Sequence, residues 1–351
     1  MGNFLGNEIT ADGSQKRSIP KLCLFAHYDQ DGLIGDHVRA YLDALGGCGF
    51  SIVVISTAPL VAEACKALPP HVLDVIVREN SGLDFGSWAH GFREWAHRCE
   101  GDLLLANDSV YAPVGDLEAA LARLTAEKAD IFGMVASNEV RPHLQSWFLL
   151  FRDQVWRHPD FSAFLNQPFG DFTKTEVILR GEVGLAEFAK RNGFRMHAAF
   201  PRQDAGTLPL TIVVNPTHFL WREIVCDAEL PFIKVQLLRD NPMMLPELSD
   251  WKTIAAARAP LMEALIESHL QRVGRQPDVE HDHPARNLFA DYVRRDYVAA
   301  RAGDRMAQWL NRLRFRVTLL PAQLRDIVEP IPVIGPALKA AWHFAKGDRR
   351  A

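Results

Sequence analysis

Short apolar runs alternate with segments whose apolar positions recur at helical spacing through the first half of the chain. Residues 21–28 (KLCLFAHY) read as a buried strand that ends in the polar loop Asp29-Gln30-Asp31-Gly32. From Ile34 to Leu45, the positions Ile34, Val38, Tyr41, Leu42 and Leu45 share one helical face, and Gly46-Gly47 supplies the stop signal. Residues 50–56 (FSIVVIS) predict a second buried strand, residues 60–68 a short helix closed by Pro69-Pro70, and residues 73–77 a third strand. A helix over 86–98 and a fourth strand over 103–106 follow. Strands of this length alternating with helices predict right-handed βαβ units and a mostly parallel sheet.

The pattern continues past Pro113 with a helix over 117–128, strands over 131–135 and 147–151, and a helical stretch over 161–165. A helix opening at Glu182 and closing at Asn192-Gly193 precedes a strand over 194–197. Residues 251–273 have helical periodicity, residues 276–284 form a polar, proline-bounded linker, and an Arg-rich helical region follows. The expected organisation is a loosely attached N-terminus over 1–19, a domain over 20–250 and a helical, basic C-terminal extension over 251–351. From Arg301 onward, ten Lys and Arg face four Asp and Glu, with Trp309, Phe315, Trp342 and Phe344 interleaved. Such a segment suits either a packed helical cap or peripheral contact with an anionic membrane face.

Composition narrows the class without choosing the chemistry. At 351 residues, 48% hydrophobic and 23% charged, the chain can bury a full core. A net charge of −4 argues against nucleic-acid binding. Five cysteines without a CxxC pair point to reduced thiols and a cytoplasmic setting, at the inner face of the cell membrane if the basic tail docks there. Residues 1–19 lack the apolar stretch of a signal peptide, and no run is long enough to span a bilayer.

Candidate chemistry gathers at strand ends, where open α/β sheets bind ligands. Asn80-Ser81-Gly82-Leu83-Asp84 follows the third strand and Asn107-Asp108-Ser109 the fourth, so both loops are expected to face one crevice. Asp108 is a candidate metal or ribose contact, with Asn80 and Asp84 lining the site; a first-turn Asp84 is the plainer alternative. Asp29-Gln30-Asp31-Gly32 after a strand also suits a magnesium-dependent phosphatase of the haloacid-dehalogenase type, although no downstream acidic motif completes that set. Glu182 can be an active-site base or a first-turn acid on its helix. Lys234 and Arg239 can neutralise a departing diphosphate or lie on the surface, and Gln145-Ser146 can reach sugar hydroxyls beside Trp147.

The stretches FAHYDQDGLIGDHVRAYLDAL, RENSGLDFGSWAHGF, LLLANDSVYAP, LQSWFLLF, GEVGLAEFAKRNGFR, NPTHFLW and PFIKVQLLRDNP occur in that order between Phe25 and Pro242. Together they resemble the rhamnan-synthesis F family of rhamnosyltransferases, and the skeleton is similar to family-2-like GT-A glycosyltransferases. The resemblance implies an α/β, GT-A-like Rossmann-type sheet flanked by helices. It also implies transfer of a sugar, rhamnose above all, from a nucleotide-diphosphate donor to a cell-surface or lipid-linked glycan. His27, Tyr28, Asp29, Glu79, Asn80, Gly82 and Asp84 would line the nucleotide pocket, with Asn107, Ser109, Gln145 and Ser146 beside the sugar. Asp108 would hold ribose or Mg2+ or Mn2+, Glu182 would be the base, and Lys234 and Arg239 would face the leaving group. The usual DxD is Asn107-Asp108-Ser109 here, and the usual acidic pair is Glu182-Val183. Those departures leave room for a non-catalytic glycan-binding subunit of a polysaccharide assembly complex.

Overall fold

Along β1 (Ile19–His27) successive side chains enter opposite layers of the core: Leu22, Leu24 and Ala26 on one face, Cys23 and Phe25 on the other. The same alternation divides Val53 and Ile55 from Ile52 and Val54 in β2 (Ser51–Ser56). A strand apolar at every position is buried on both faces, as a sheet covered by helices on each side requires. The computed structural model describes residues 18–66, 68–138, 141–201, 215–242, 245, 248–274 and 284–311, without side chains for 284–291 and 300.

The remaining strands are β3 (Val72–Val77), β4 (Cys99–Asn107), β5 (Val110–Tyr111), β6 (Ile131–Ser137), β7 (His143–Leu144), β8 (Phe148–Phe151), β9 (Met196–Phe200) and β10 (Ile233–Lys234). The main sheet runs β3-β2-β1-β4-β8-β6-β7, with β9 also on β6. Its first four strands are parallel; β8 is antiparallel to both β4 and β6, and β9 is parallel to β6. The expected α/β sheet therefore forms and is mixed in its second half. A separate pair, β5 with β10, was not visible as periodicity because each strand has two residues.

On one face lie α1 (Asp36–Gly47) and, further along, α3 (Leu117–Thr125); on the other lie α2 (Leu83–Trp95) and α4 (Pro159–Leu165). Trp88 of α2 is fully buried, and its Nε1–H donates to the Ala106 carbonyl of β4 at 3.1 Å. That bond fixes α2 over the end of β4. The helical run here called α5 comprises Lys174–Val177, a π-segment Ile178–Val183 and Gly184–Arg191.

Three local expectations are corrected. Among the described residues of 60–68 only the 3₁₀ turn Ala62–Cys65 forms, and Arg39 donates to the carbonyls of Ala64 and Lys66 at 2.8 Å each. Glu182 does not open a helix: α5 starts at Lys174, capped by Thr173 and Glu176 in a reciprocal box, and Glu182 sits inside the π-segment. The helix expected over 251–273 is broken into α6 (Trp251–Arg258) and α7 (Pro260–Val273), since the residue before a proline avoids the helical region. α6 and α7 build a third apolar cluster with Tyr111, Val114 and Ile233 around the β5–β10 pair. α8 (Pro284–Arg301) follows, and helical turns resume over residues 305–311. Of the tail aromatics only Trp309 is described, and it is exposed; the expectations for residues 1–17 and 312–351 lie outside the described residues.

Candidate active site

Strand order reverses at β1, whose neighbours are β2 on one side and β4 on the other. The chain leaves β1 toward β2 and β3, then returns to β4, so the loops after β1 and β4 diverge and open a crevice. Across it the Tyr28 backbone N–H donates to Asp108 Oδ2 at 2.7 Å. His27 Nε2 is 3.9 Å from the same oxygen, and His27 Nδ1 is 3.0 Å from Ser56 Oγ.

The loops after β3 and β4 do not face each other directly, because β2 and β1 stand between those strands. Convergence comes through α2. Gly82 caps that helix at φ 72°, a left-handed conformation, and a Cβ there would lie 2.9 Å from Phe169 backbone and side-chain atoms. Glycine serves both needs. The helix then delivers Asp84 to Asn107, whose Nδ2 donates to Asp84 Oδ2 at 2.7 Å. Glu79 and Asn80, also expected at the site, are exposed in the preceding loop.

From Asn107 a polar chain runs onward. Asn107 Oδ1 accepts from Ser109 N at 3.1 Å and Ser109 Oγ at 2.6 Å, and Ser109 Oγ accepts from Lys234 Nζ at 3.1 Å. Pairing of β10 with β5 carries Lys234 here, opposite Val110, and its ammonium lies 5.6 Å from the Trp147 ring centroid. Lys234 and Trp147 also border a small hollow beside Phe232 and Trp221, with room for about one water molecule.

Burial pushes the Asp84 carboxyl up to about 7; Asp108 and Glu182 push the same way, and the Asn107 bond and Lys234 oppose them. Burial likewise pushes Asp108 up to about 7, against the Tyr28 N–H and with Asp29 adding to the rise. His27 is pushed down to about 4, chiefly by burial. Asp84, Asp108, Glu182 and Lys234 thus share one electrostatic environment in which carboxylates outnumber the fixed cation.

Glu182 is bonded by one residue of the β7–β8 segment and flanked by another. Ser146 Oγ donates to Oε1 at 2.5 Å, and His143 Nε2 is 3.5 Å from Oε2. Gly181 makes the approach possible: a Cβ there would lie 2.5 Å from Phe85 Cε2, next to Asp84. No pattern in the sequence marks His143, because its partner is distant in the chain and belongs to another element.

Other expected residues are engaged elsewhere. Gln145 is used at both ends of its amide, donating to Asn215 Oδ1 at 3.0 Å and accepting from Trp147 Nε1 at 2.8 Å. Arg239 donates from Nε and Nη2 to its neighbour Asp240 at 2.8 and 2.9 Å. Asp29 is clamped by Arg272 of α7, which donates to Oδ1 at 3.2 Å and Oδ2 at 2.5 Å and also to Asp31. Burial raises the Asp29 carboxyl, but the Arg272 bonds and charge, together with the Asp31 and Leu33 backbone N–H groups, outweigh it and hold the group below its ordinary value. Both Asp29 oxygens are thus bonded by Arg272, which argues against a free carboxylate nucleophile of the phosphatase type. Among the described residues no three His, Cys, Asp or Glu side chains are grouped to hold a metal by themselves.

The family described as "RgpF: Rhamnan synthesis protein F" matches residues 52–280, well over half of the chain. Virulence protein VirA of Vibrio anguillarum is 29% identical over 262 residues, covering 65% of this chain and 82% of VirA. Among solved structures, mannosyltransferase PcManGT from Pyrobaculum calidifontis in complex with GDP-Man and Mn2+ is 11% identical, with a TM-score of 0.36 over 97% of this chain and 89% of its own. The glycosyltransferase GlyE of Streptococcus pneumoniae TIGR4 is 10% identical, with a TM-score of 0.36 over 75% of this chain and 66% of its own. At such scores the two structures carry no argument about this chain.

Proposed function

The chain belongs to the rhamnan synthesis protein F family, and from that premise we propose that it is a glycosyltransferase, moving rhamnose from a nucleoside-diphosphate donor to a growing cell-surface glycan. The observation that carries this reading is the hydrogen-bonded chain Asp84–Asn107–Ser109–Lys234 at the switch point of the sheet, with Asp108 and Glu182 beside it.

In this reading Lys234 meets the negative charge that develops on the departing diphosphate. A cation already fixed by Ser109 and Trp147 needs little reorganisation at the moment of reaction. Glu182 takes the proton of the acceptor hydroxyl as its oxygen bonds to the anomeric carbon and the bond to the diphosphate breaks. The Tyr28 N–H holds Asp108 at the crevice, with the His27 ring beside it.

The donor set suits a divalent cation. Asp84 and Asp108 are two carboxylates whose burial favours the protonated forms, an electrostatic cost that a cation would relieve. Mg2+ and Mn2+ are commonly held by one or two carboxylates and complete their shells with water and substrate phosphate oxygens. When bound, such an ion would supply charge neutralisation at the diphosphate.

The test is a melting-temperature screen over nucleoside diphosphates and nucleotide sugars, with and without Mn2+. A ligand at a hundredfold excess over its Kd stabilises the native state by about 2.7 kcal/mol, so a nucleoside diphosphate-rhamnose should raise the melting temperature. Asp108→Ala is expected to abolish transfer with the circular dichroism spectrum unchanged. Turnover at the wild-type rate in that variant removes the site assignment.

A further inference from the structure

His143 is buried in β7, and its ring is fixed by a contact that decides which nitrogen carries hydrogen. Nδ1 is 2.8 Å from the backbone carbonyl oxygen of Arg141. A carbonyl only accepts, so Nδ1 bears a hydrogen, and an Nε2 without one turns its lone pair outward. That nitrogen is 3.5 Å from Glu182 Oε2. The His143 side chain is 2% exposed and that of Glu182 22%, so Glu182 meets solvent while His143 stands behind it. On the other oxygen, the Ser146 hydroxyl donates to Oε1. The Arg141 guanidinium is turned away to Glu187 at 2.8 Å.

From this geometry we infer that His143 is a positioning residue for Glu182, and that its Nε2 receives the proton that Glu182 takes from the acceptor. The inference rests on reading Glu182 as the base. The acceptor oxygen bonds to the anomeric carbon while the carbon–oxygen bond to the diphosphate breaks. The hydroxyl proton passes to Glu182 Oε2 and then to His143 Nε2, regenerating the carboxylate beside an imidazolium. No other reactant is needed, and the proton leaves to solvent through Glu182 after product release. Ser146 plays a different part: its hydrogen is directed at Oε1, so it orients the carboxylate and leaves Oε2 to face the ring.

The arrangement is testable on the free protein. In the full-length chain labelled with ring-15N histidine, in mildly alkaline buffer, the His143 signals are identified by their loss in His143→Gln. Hydrogen on Nδ1 with a bare Nε2 is the expected result; a hydrogen on Nε2 overturns the proposal whether or not any donor is turned over. The kinetic arm uses nucleoside diphosphate-rhamnose and follows nucleoside diphosphate release. His143→Gln should lower kcat on the order of tenfold or more, the scale of general acid–base effects, with the donor KM unchanged. Wild-type kcat in His143→Gln alongside an inactive Glu182→Gln defeats the relay and spares the base. Wild-type turnover in Glu182→Gln defeats the base reading itself.

Discussion

Burial at single residues sets the charge balance of this molecule. Asp84 and Asp108 are lifted toward neutrality, and four histidines (His27, His37, His218 and His269) are held neutral by the same physical cause. His37 offers the clearest test. Its ring lies 4.1 Å from that of His269 and 5.4 Å from Tyr111, and it is pushed down to about 3 by burial first, then by His269, Arg272 and His27, with Asp29 opposing. A histidine depressed in the fold takes up a proton more readily when unfolded. Its contribution to stability is therefore present above its ordinary value of 6.5 and is lost as pH falls toward 3. His37→Phe keeps an aromatic ring but cannot titrate. Its melting temperature should fall less steeply than that of the wild type between about pH 6.5 and pH 4, as followed by circular dichroism; parallel curves would refute the assignment.

At the scale of elements, the π-segment of α5 decides where Glu182 points. An extra residue in a helical turn re-aims the side chains that follow it, and such bulges are frequent at functional sites. The turn is pressed against Phe85, which is itself confined by Trp88 and Phe169 with centroids 5.1 Å away in each case. Gly181→Ala should gain up to about 1 kcal/mol of helix propensity but force a methyl into that ring, an overpacking cost of about 1–3 kcal/mol. Net destabilisation is expected, because Phe85 is 3% exposed and cannot move aside. Gly184, one turn on, has its nearest Cβ neighbours at 3.6 Å. Gly184→Ala should be neutral or stabilising, by up to about 1 kcal/mol. Opposite signs in denaturant midpoints would support the close approach; the same sign in both would contradict it.

Across the whole molecule, α7 ties the C-terminal helices to the crevice at two points. Arg272 clamps Asp29 and Asp31 in the loop after β1, and His269 Nδ1 lies 2.7 Å from the Tyr111 hydroxyl of β5. One contact reaches the loop after β1 and the other the strand after β4, so α7 touches both flanks of the switch point. Removing the guanidinium leaves Asp29, whose side chain is only 10% exposed, without its counter-charge. Arg272→Ala should cost about 1.5–3 kcal/mol, the range for hydrogen bonds to charged groups. Faster amide hydrogen exchange in residues 260–273 should accompany the loss, and unchanged exchange there would show that the latch holds nothing. Among the described residues no helix is long and apolar enough to cross a membrane.

Local chemistry was sufficient to dictate much of this protein. Continuous apolar runs such as 50–56 and 103–106 become strands buried on both faces, whatever their neighbours. Polar residues at the ends of β1 and β4 mark the crevice because ligand sites in such sheets lie at strand termini. What periodicity cannot carry is the identity of partners far apart in the chain. Lys234 reaches Ser109 only because β10 pairs with β5, and Asp84 meets Asn107 only because α2 crosses back over β4. Gln145 and Arg239, equally plausible by residue type, are consumed by Asn215, Trp147 and Asp240. The position of Glu182 depended on a helix that began eight residues earlier and on a glycine that let it close on Phe85. Packing made those choices, because burial and long-range pairing are properties of the assembled layers and leave no periodic trace in the chain.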